Sequence, residues 1–379
     1  MRNDGRGDSH ATAVANRSLG QVITRCATLN DAAVHRSRLD AMRSTKDASQ
    51  PSMRTPNGTM LEPLQCLLDR HFDALSNEPE LSDFLELVSD LEILYDIARR
   101  DDRFAEFASA IRGHALSDML QEDPYTRRAV EKPRGYPGDA VMLDYIYRPR
   151  DLPLSERART FHSGTTTTST SRSILWRQGY LANLIERTAV LKPDAWILSV
   201  ASGHLRELDL AKSLLHSSKV SIVALDNDGG SLDEARRANP SLNIETVNLS
   251  IANLLKERQP AQVFDLVYSA GLSDYLSDRL LSALLANLYG RLAPGGLLSL
   301  ANFAPEAEGR GYLEFVMDWR LIYRDERDLG DLVQRAVPDA DYRTFRDSEG
   351  GVVYVEIRAP AVDGPDRVGS DVRSSRTPR

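Results

Sequence analysis

The sequence predicts an α/β fold in which an all-helical region precedes a doubly wound, mainly parallel sheet. Between residue 61 and about residue 122, apolar residues recur at helical spacing, as in LEPLQCLLDRHFDAL and ELSDFLELVSDLEILYDIARR. From Ala195 onward, short apolar and β-branched runs alternate with helical ones, which is typical of parallel strands joined by crossover helices. The run DYRTFRDSEGGVVYVEIRA follows and predicts that the sheet ends in an antiparallel hairpin with an SEGG turn.

Length, charge and cysteine usage restrict the class of protein. A chain of 379 residues holds one large domain or two smaller ones, and its net charge of -8 disfavours nucleic-acid partners. The two cysteines, Cys26 and Cys66, have no metal-ligand spacing, so we predict no metal site and no disulfide framework. No apolar run approaches the roughly 20 residues of a membrane span. We therefore expect a soluble, cytoplasmic protein without membrane partners.

Composition divides the chain into four predicted segments. Residues 1–59 form a polar, disordered arm, 60–170 a helical domain, 171–360 the α/β domain and 361–379 an Arg-rich, disordered tail. The stretch FHSGTTTTSTSRS has the composition of a low-complexity linker, although ILWRQGYLANLIERTAVL behind it has a helical pattern.

The first two strand ends of the α/β part carry a candidate cofactor site, because ligands bind at the carboxyl ends of strands in such sheets. In SVASGHLREL, Ala201, Ser202 and Gly203 allow a tight turn before the next helix. In ALDND, Asp226 follows Gly203 by 23 positions, a spacing at which an acid accepts both ribose hydroxyls. Asn227 stands beside it. An ordinary helix N-cap is the alternative role for Asp226.

The next two strand ends extend this site. In TVNLS, Asn248, Leu249 and Ser250 are candidates to meet the edge and face of an adenine. The fourth strand end, YSAGLSDYL, supplies the remaining cofactor-binding candidates: Tyr268, Ser269, Ala270 and Gly271. GxGxxG and the P-loop lysine are both missing from the first turn, so a dinucleotide or a triphosphate is disfavoured.

Taken in order, these strand ends resemble the Rossmann-like class I S-adenosylmethionine-dependent methyltransferases over about residues 172–358. RLAPGGLLSL matches the L-x-PGG element of that family closely. The resemblance implies S-adenosyl-L-methionine as the cofactor.

The first loop departs from the pattern of that family. Ala201 and Ser202 stand at its usual glycine positions, and Ser199 replaces the acid that precedes the loop. His204 replaces a small residue, either as a locally satisfied helix-start residue or as a functional one.

Three further motifs extend the resemblance to about residues 60–358. RGYPGD at 134–139, YSAGLSDYL, and ANF followed by DWRLIYR resemble a bacterial subgroup of the same methyltransferases. That resemblance implies that the helical domain is a lid over the site, and that the acceptor is a small molecule of bacterial secondary metabolism. Trp319 and Tyr323, spaced i and i+4 in the last motif, predict packing on one face of a helix.

Candidate catalytic residues come from the lid motif and the fourth strand end. Tyr136, Tyr268 and Tyr275 are candidates to stabilise a sulfonium through their ring faces. Asp139 or Asp274 can orient an amine or accept a proton. For Tyr136 and Asp139 the alternative is a tight turn that ends in a helix N-cap.

The sequence leaves open two roles for Arg172 and two alternative functions for the protein. Arg172 pairs with a carboxylate of the cofactor or the acceptor, or else lies on a solvated helix face. The first alternative function is ring closure of S-adenosylmethionine itself to azetidine-2-carboxylate and methylthioadenosine, a reaction of related proteins. The second is a non-catalytic S-adenosylmethionine-binding protein, which the altered first loop permits. The oligomeric state is not predicted.

Overall fold

The computed structural model describes residues 61–149, 152–216, 219–256 and 262–361. The predicted arm over 1–59, and the predicted tail except for residue 361, lie outside those residues. The described chain divides into two compact units. The first contains the residues up to Tyr180 together with Phe303–Tyr323 and Arg346–Val352, and the second contains the remaining described residues.

The first unit is built from helices, as the apolar spacing predicts. Its helices are α1 (Leu61–Ser76), α2 (Leu81–Arg100), α3 (Phe104–Arg112), α4 (Ala115–Leu120), α5 (Pro124–Glu131), α6 (Ala140–Tyr147), α7 (Glu156–Thr167) and the first half of α8 (Ser169–Leu191), with a π-helix at Tyr312–Val316. Along α1, Leu64, Leu68 and Leu75 fall on one face and are buried. Such a stripe stabilises a helix mainly by packing against its neighbours. None of the helices in the described ranges combines the length and apolar character that crossing a membrane requires.

The threonine-rich stretch is helical, which contradicts the linker composition. It forms the end of α7 and the start of α8, with the break at Thr168. The Thr166 hydroxyl donates to the His162 carbonyl at 2.6 Å, and the Thr167 hydroxyl donates to the Ser163 carbonyl at 2.5 Å. Threonine hydroxyls that bond back in this way are satisfied within a helix. Composition alone could not show this.

A buried ion cluster joins α1 to α2. Asp90 on α2 is almost fully buried, and its Oδ2 lies 2.5 Å from Arg70 Nη2 and 3.0 Å from His71 Nε2 of α1. Burial by itself would raise the pKa of Asp90, but the hydrogen bond and charge of His71, helped by Arg70, hold that pKa below its usual value. The ionised carboxylate therefore stabilises the folded first unit.

Asp90→Asn is expected to lower the free energy of unfolding by about 3 kcal/mol near neutral pH, because it removes one member of a buried ion cluster. A depressed pKa contributes stability above the unfolded-state pKa and loses it as pH falls through the folded-state pKa. The difference between the two proteins should therefore shrink below about pH 4. Urea melts over a series of pH values measure it. Asp73→Asn, at an exposed site of α1, is the control, and a difference that stays constant at all pH values would contradict the assignment.

The second unit holds most of a mainly parallel sheet. Its strands are β1 (Trp196–Val200), β2 (Ser221–Asp226), β3 (Asn243–Asn248), β4 (Phe264–Ser269), β5 (Leu292–Phe303), β6 (Asp341–Arg346) and β7 (Val352–Arg358). The helices that follow α8 are α9 (Leu208–Leu215), α10 (Gly229–Ala238), α11 (Ile251–Leu254), α12 (Asp278–Tyr289) and α13 (Glu326–Ala336). Within the described residues the strands lie in the order β3-β2-β1-β4-β5-β7-β6, and β1 to β5 pair in parallel.

The strands β6 and β7 at the far end of the sheet are antiparallel, as the run DYRTFRDSEGGVVYVEIRA predicts. Arg343 pairs with Glu356 at 2.9 Å, and the rings of Phe345 and Tyr354 stack 5.3 Å apart. As the residue number rises along β6, the number of its partner on β7 falls, which defines an antiparallel pair of strands. The predicted fold class, a Rossmann-like α/β sheet with a helical region before it, is confirmed.

The prediction of a helix around Trp319 is wrong. The π-helix ends at Val316, and residues 318–325 have no helix. Asp318 has a φ of 48°, a left-handed conformation that a continuing right-handed helix does not allow. Its carboxylate is held by Lys132 Nζ at 2.5 Å and by Arg112 Nη2 at 3.0 Å. Trp319 is buried, but it belongs to this irregular segment and not to a helix.

Candidate functional site

The parallel pairing brings the predicted strand ends to one edge of the sheet in the second unit. Val200 at the end of β1 is in register with Leu225, and Asp226 at the end of β2 is in register with Asn248 of β3. On the other side of β1, Ser199 is in register with Tyr268 of β4. The loops that follow these strands therefore leave from neighbouring positions, where open α/β sheets bind their ligands.

The first loop turns through left-handed backbone. Ala201, Gly203 and Leu205 have φ values of 52°, 53° and 51°. The Ser202 amide donates to the Leu225 carbonyl at 3.1 Å, which fastens the loop to the end of β2. A non-glycine residue in this conformation costs about 1 kcal/mol. Ala201 therefore adopts a left-handed backbone conformation, at some cost in stability, at a position where the methyltransferases that the sequence resembles usually have glycine.

Asp226 and Gly203 meet, as their spacing predicts. The Asp226 side chain is buried, its Oδ2 accepts from the Gly203 amide at 2.8 Å, and its Oδ1 accepts from the Asp228 amide at 2.9 Å. The N-cap of α10 is Asp228, whose side chain accepts from Gly230 and Ser231. Asp226 is thus not the N-cap. Each of its oxygens keeps a further lone pair for another donor.

The residues after β3 hold the end of β2. The Asn248 amide nitrogen Nδ2 and the Leu249 backbone amide both donate to the Asp226 carbonyl, at 3.1 and 2.9 Å. Ser250 is the N-cap of α11, where its hydroxyl accepts from the Asn253 amide at 3.3 Å. Asn248 itself is exposed, as is Asn227 after β2. The structure therefore gathers Asn227, Asn248 and Leu249 around Asp226, and their contacts with adenine stay predictions.

At the end of β4, Tyr268 is held by a residue that the sequence did not single out. Its buried hydroxyl donates to Oε1 of Glu207 at 2.5 Å, and Glu207 lies in the first loop just before α9. Burial and the neighbouring carboxylate raise the pKa of Tyr268 well above its usual value, so the phenol stays protonated. The Tyr268 hydroxyl is thus already bonded to Glu207, and a contact between the Tyr268 ring and a sulfonium stays a prediction.

Tyr268→Phe is expected to lower the free energy of unfolding by about 2 kcal/mol, because the buried Glu207 carboxylate loses a hydrogen-bond donor. Thermal and urea melts measure the change. Tyr289→Phe on α12, where the tyrosine is half-buried, is a matched control in the same unit and should cost much less. Equal stability losses in the two variants would show that the Glu207 contact contributes nothing.

The rest of the fourth strand end continues along the same edge. Ser269 is buried, Ala270 is half-buried and Gly271 is exposed. A short 3₁₀-helix, Ser273–Tyr275, follows and contains a buried Asp274 and an exposed Tyr275. The structure thus places both catalytic candidates of this motif one turn beyond the end of β4.

Two buried hydroxyls at this edge test whether a polar cofactor fits. Within the described part of the chain, Oγ of Ser202 and Oγ of Ser269 are buried and have no hydrogen-bond partner. They belong to the loop after β1 and to the end of β4, which are neighbouring strands. Buried hydroxyls without partners are uncommon in folded proteins unless a ligand or water bonds them. Together with Asp226, they fit a ligand rich in hydroxyl, amino and carboxylate groups.

The helical candidates Tyr136 and Asp139 lie in the first unit, and Asp139 is already bonded there. Asp139 is the N-cap of α6 and accepts from the Met142 amide at 2.9 Å, so the turn-and-cap alternative is observed. Arg128 also donates to Asp139, from Nε to Oδ1 at 2.8 Å and from Nη2 to Oδ2 at 2.7 Å. Tyr136 is half-buried. A catalytic role for Tyr136 and Asp139 stays a prediction.

Arg172 lies on an exposed part of α8. Its side chain is 53% exposed and donates from Nε to Glu349 at 2.7 Å and from Nη1 to the Thr167 carbonyl at 2.8 Å. This agrees with the solvated helix face that the sequence left open. His204 is buried in the second unit, with Nδ1 3.2 Å from Arg206 Nη2.

Family and structural comparisons agree with this geometry. Residues 197–296 match the model of a family described as a methyltransferase domain. None of the curated proteins matches the chain by sequence. A Bordetella parapertussis structure, described as a possible exported protein, is similar with a TM-score of 0.50 and 18% identity, over 67% of this chain and 97% of that chain. At this identity the likeness shows the fold alone.

Two weaker structural likenesses carry no argument of their own. One is to magnesium protoporphyrin IX methyltransferase from Synechocystis with bound S-adenosylmethionine, with a TM-score of 0.38, 13% identity, and coverage of 57% of this chain and 88% of that chain. The other is to an O-methyltransferase family protein from Burkholderia thailandensis, with a TM-score of 0.38, 14% identity, and coverage of 55% and 61%.

The family match assigns a methyltransferase domain to residues 197–296, which include β1 to β4 and the start of β5. This confirms the resemblance seen in the strand ends. The closer resemblance to the lid-bearing subgroup stays a prediction, and the comparisons do not support the ring-closing alternative.

Proposed function

We infer that this protein transfers the methyl group of S-adenosylmethionine to a small molecule with an amine, carboxylate or hydroxyl acceptor, in bacterial secondary metabolism. The observation that carries the inference is the carboxylate of Asp226, buried at the sheet edge and 2.8 Å from the Gly203 amide. An acid at this place, next to a tight glycine turn, suits a ribose diol. The proposal includes a cytoplasmic location and excludes nucleic-acid and membrane partners.

In this proposal each strand end binds one part of the cofactor. Asp226 accepts from the ribose hydroxyls, while Asn227, Asn248, Leu249 and Ser250 bind around the adenine. The turn Ala201–Gly203 offers its backbone and the Ser202 hydroxyl to the methionine part. The small residues of the segment Ser269–Gly271 allow the backbone to lie close to the cofactor. Arg172 pairs with a carboxylate of the cofactor or the acceptor after its ion pair with Glu349 breaks.

The catalytic residues need only hold and orient the acceptor. S-adenosylmethionine supplies a methyl group already activated by its sulfonium. The ring faces of Tyr136, Tyr268 and Tyr275 stabilise positive charge, by about 0.5–2 kcal/mol each where water is excluded. Asp274 orients the acceptor or accepts its proton. Asp139 does the same in the lid.

Product analysis tests the proposal. The purified protein is incubated with S-adenosylmethionine, alone and with panels of small amines, carboxylic acids and phenols. We expect S-adenosylhomocysteine to form only when an acceptor is present. Methylthioadenosine released without any acceptor would instead establish ring closure, and no turnover with bound cofactor across all panels would favour the non-catalytic alternative.

A further inference from the structure

Arg324 is a buried arginine in the second unit with all five of its N–H donors in use. It is 2% exposed. Nε and Nη2 donate to Asp278 Oδ1 at 3.1 and 2.8 Å, and Nη2 also donates to the Leu276 carbonyl at 2.6 Å. Nη1 donates to the Ser273 carbonyl at 3.0 Å and to Asn302 Oδ1 at 2.9 Å. A guanidinium has no further donors.

These bonds hold the part of the loop between β4 and α12 that runs from Ser273 to the start of α12. The Ser273 and Leu276 carbonyls bracket Asp274 and Tyr275, and Asp278 begins α12. Asn302 lies on β5, which pairs with β4. The Ser273 hydroxyl also donates to the Ala301 carbonyl of β5. A single 3₁₀ turn has little stability of its own, so its conformation depends on this guanidinium and on β5.

The chemistry of the contact requires arginine. Four acceptors at different directions around one plane match the rigid fork of a guanidinium, whereas a lysine ammonium is a compact point charge on a flexible stem. Asp278, the carboxylate that compensates the charge, has a side chain that is 60% exposed. Burying a cation against such a partner is a poor source of net stability, so a role in fixing one conformation explains it better.

We propose that Arg324 is a positioning residue that fixes the loop from Ser273 to Leu276 so that Asp274 and Tyr275 face the sulfonium of the cofactor. This rests on the proposed function, which places the sulfonium at this edge of the sheet. Arg324 touches neither cofactor nor acceptor and acts through the two residues that it brackets. Its effect should therefore depend on the positive charge of the ligand.

Affinities for S-adenosylmethionine and S-adenosylhomocysteine test the proposal, because only the first ligand carries the sulfonium charge. Calorimetric titrations of the full-length protein give both dissociation constants. Arg324→Gln is expected to weaken S-adenosylmethionine binding about tenfold more than S-adenosylhomocysteine binding. Arg324→Lys should recover only part of this selectivity. Arg343→Gln is the matched control, since it removes a largely exposed arginine paired with Glu356, and it should leave the ratio unchanged.

A loss of affinity that is equal for the two ligands, or no loss, would overturn the proposal, since a purely structural role predicts that result. If Arg324→Gln does not fold, Asp278→Asn removes the compensating charge and Asn302→Ser removes the amide acceptor, and each should shift the ratio in the same direction by a smaller factor. An unchanged ratio in both would again overturn it. Failure of the cofactor assignment looks different, because wild-type protein would then bind neither ligand, and failure of methyl transfer is measured separately by the product analysis described above.

Discussion

Asp226→Asn is expected to weaken S-adenosylmethionine binding about 100-fold. The carboxylate bonds the Gly203 and Asp228 amides at 2.8 and 2.9 Å, and in our proposal it also accepts from the ribose hydroxyls. An asparagine has one acceptor oxygen in place of two, and it loses the charge that makes hydrogen bonds of this kind worth about 1.5–3 kcal/mol each. Calorimetric titration with S-adenosylmethionine measures the change.

Asp228→Asn is the matched control for that experiment, two positions further along the same loop. Asp228 caps α10 through Gly230 and Ser231, and asparagine is as good an N-cap as aspartate. We expect affinity within about threefold of wild type, since a change below about 0.7 kcal/mol is expected. Comparable losses in the two variants would show that the loop, and not the Asp226 carboxylate, determines binding.

Gly311→Ala is expected to destabilise the first unit by about 3 kcal/mol or more. A Cβ at Gly311 would lie 2.1 Å from the Leu91 carbonyl oxygen and 2.8 Å from the Glu92 amide nitrogen of α2. These are backbone atoms, so no side chain can rotate away, and overpacking of this kind usually costs 1–3 kcal/mol even where neighbours yield. The Gly311 amide also donates to Glu92 at 3.0 Å, a bond that the displaced helix would lose. Chemical denaturation of both proteins measures the effect.

Gly179→Ala provides the opposite expectation in the same unit. Gly179 is exposed within α8, and a Cβ there would meet no heavy atom within 4 Å. Alanine in a helix interior is better than glycine by up to about 1 kcal/mol, so this variant should be as stable as wild type or slightly more so. A Gly311→Ala protein as stable as Gly179→Ala would contradict the close approach of Gly311 to α2.

Periodic and local features could be predicted from the sequence. The stripe that includes Leu64 and Leu68 repeats at helical spacing, and the runs WILSV and SIVALD are strands in the structure. The contact between Gly203 and Asp226 also follows from sequence, because parallel register and a fixed spacing bring consecutive strand ends together. These predictions depend on interactions close in sequence or imposed by the sheet itself.

Long-range side-chain partners could not be predicted in this way. Glu207 pairs with Tyr268, which is 61 residues away, and Arg324 reaches Ser273 from 51 residues away. Neither spacing has a periodic signature. Arg324 did stand at the end of the motif DWRLIYR, but nothing in one sequence shows which carbonyls its guanidinium meets. The helix predicted around Trp319 was wrong for the same reason, since Asp318 is held in a left-handed conformation by Lys132 and Arg112.

A crystal structure of the protein soaked with S-adenosylhomocysteine tests the central claim most directly. We expect the ligand at the carboxyl edge of β1, β2 and β4, with both ribose hydroxyls within hydrogen-bond distance of Asp226 and the sulfur next to the loop that contains Asp274 and Tyr275. A ligand bound elsewhere, or one whose ribose does not contact Asp226, would contradict the account.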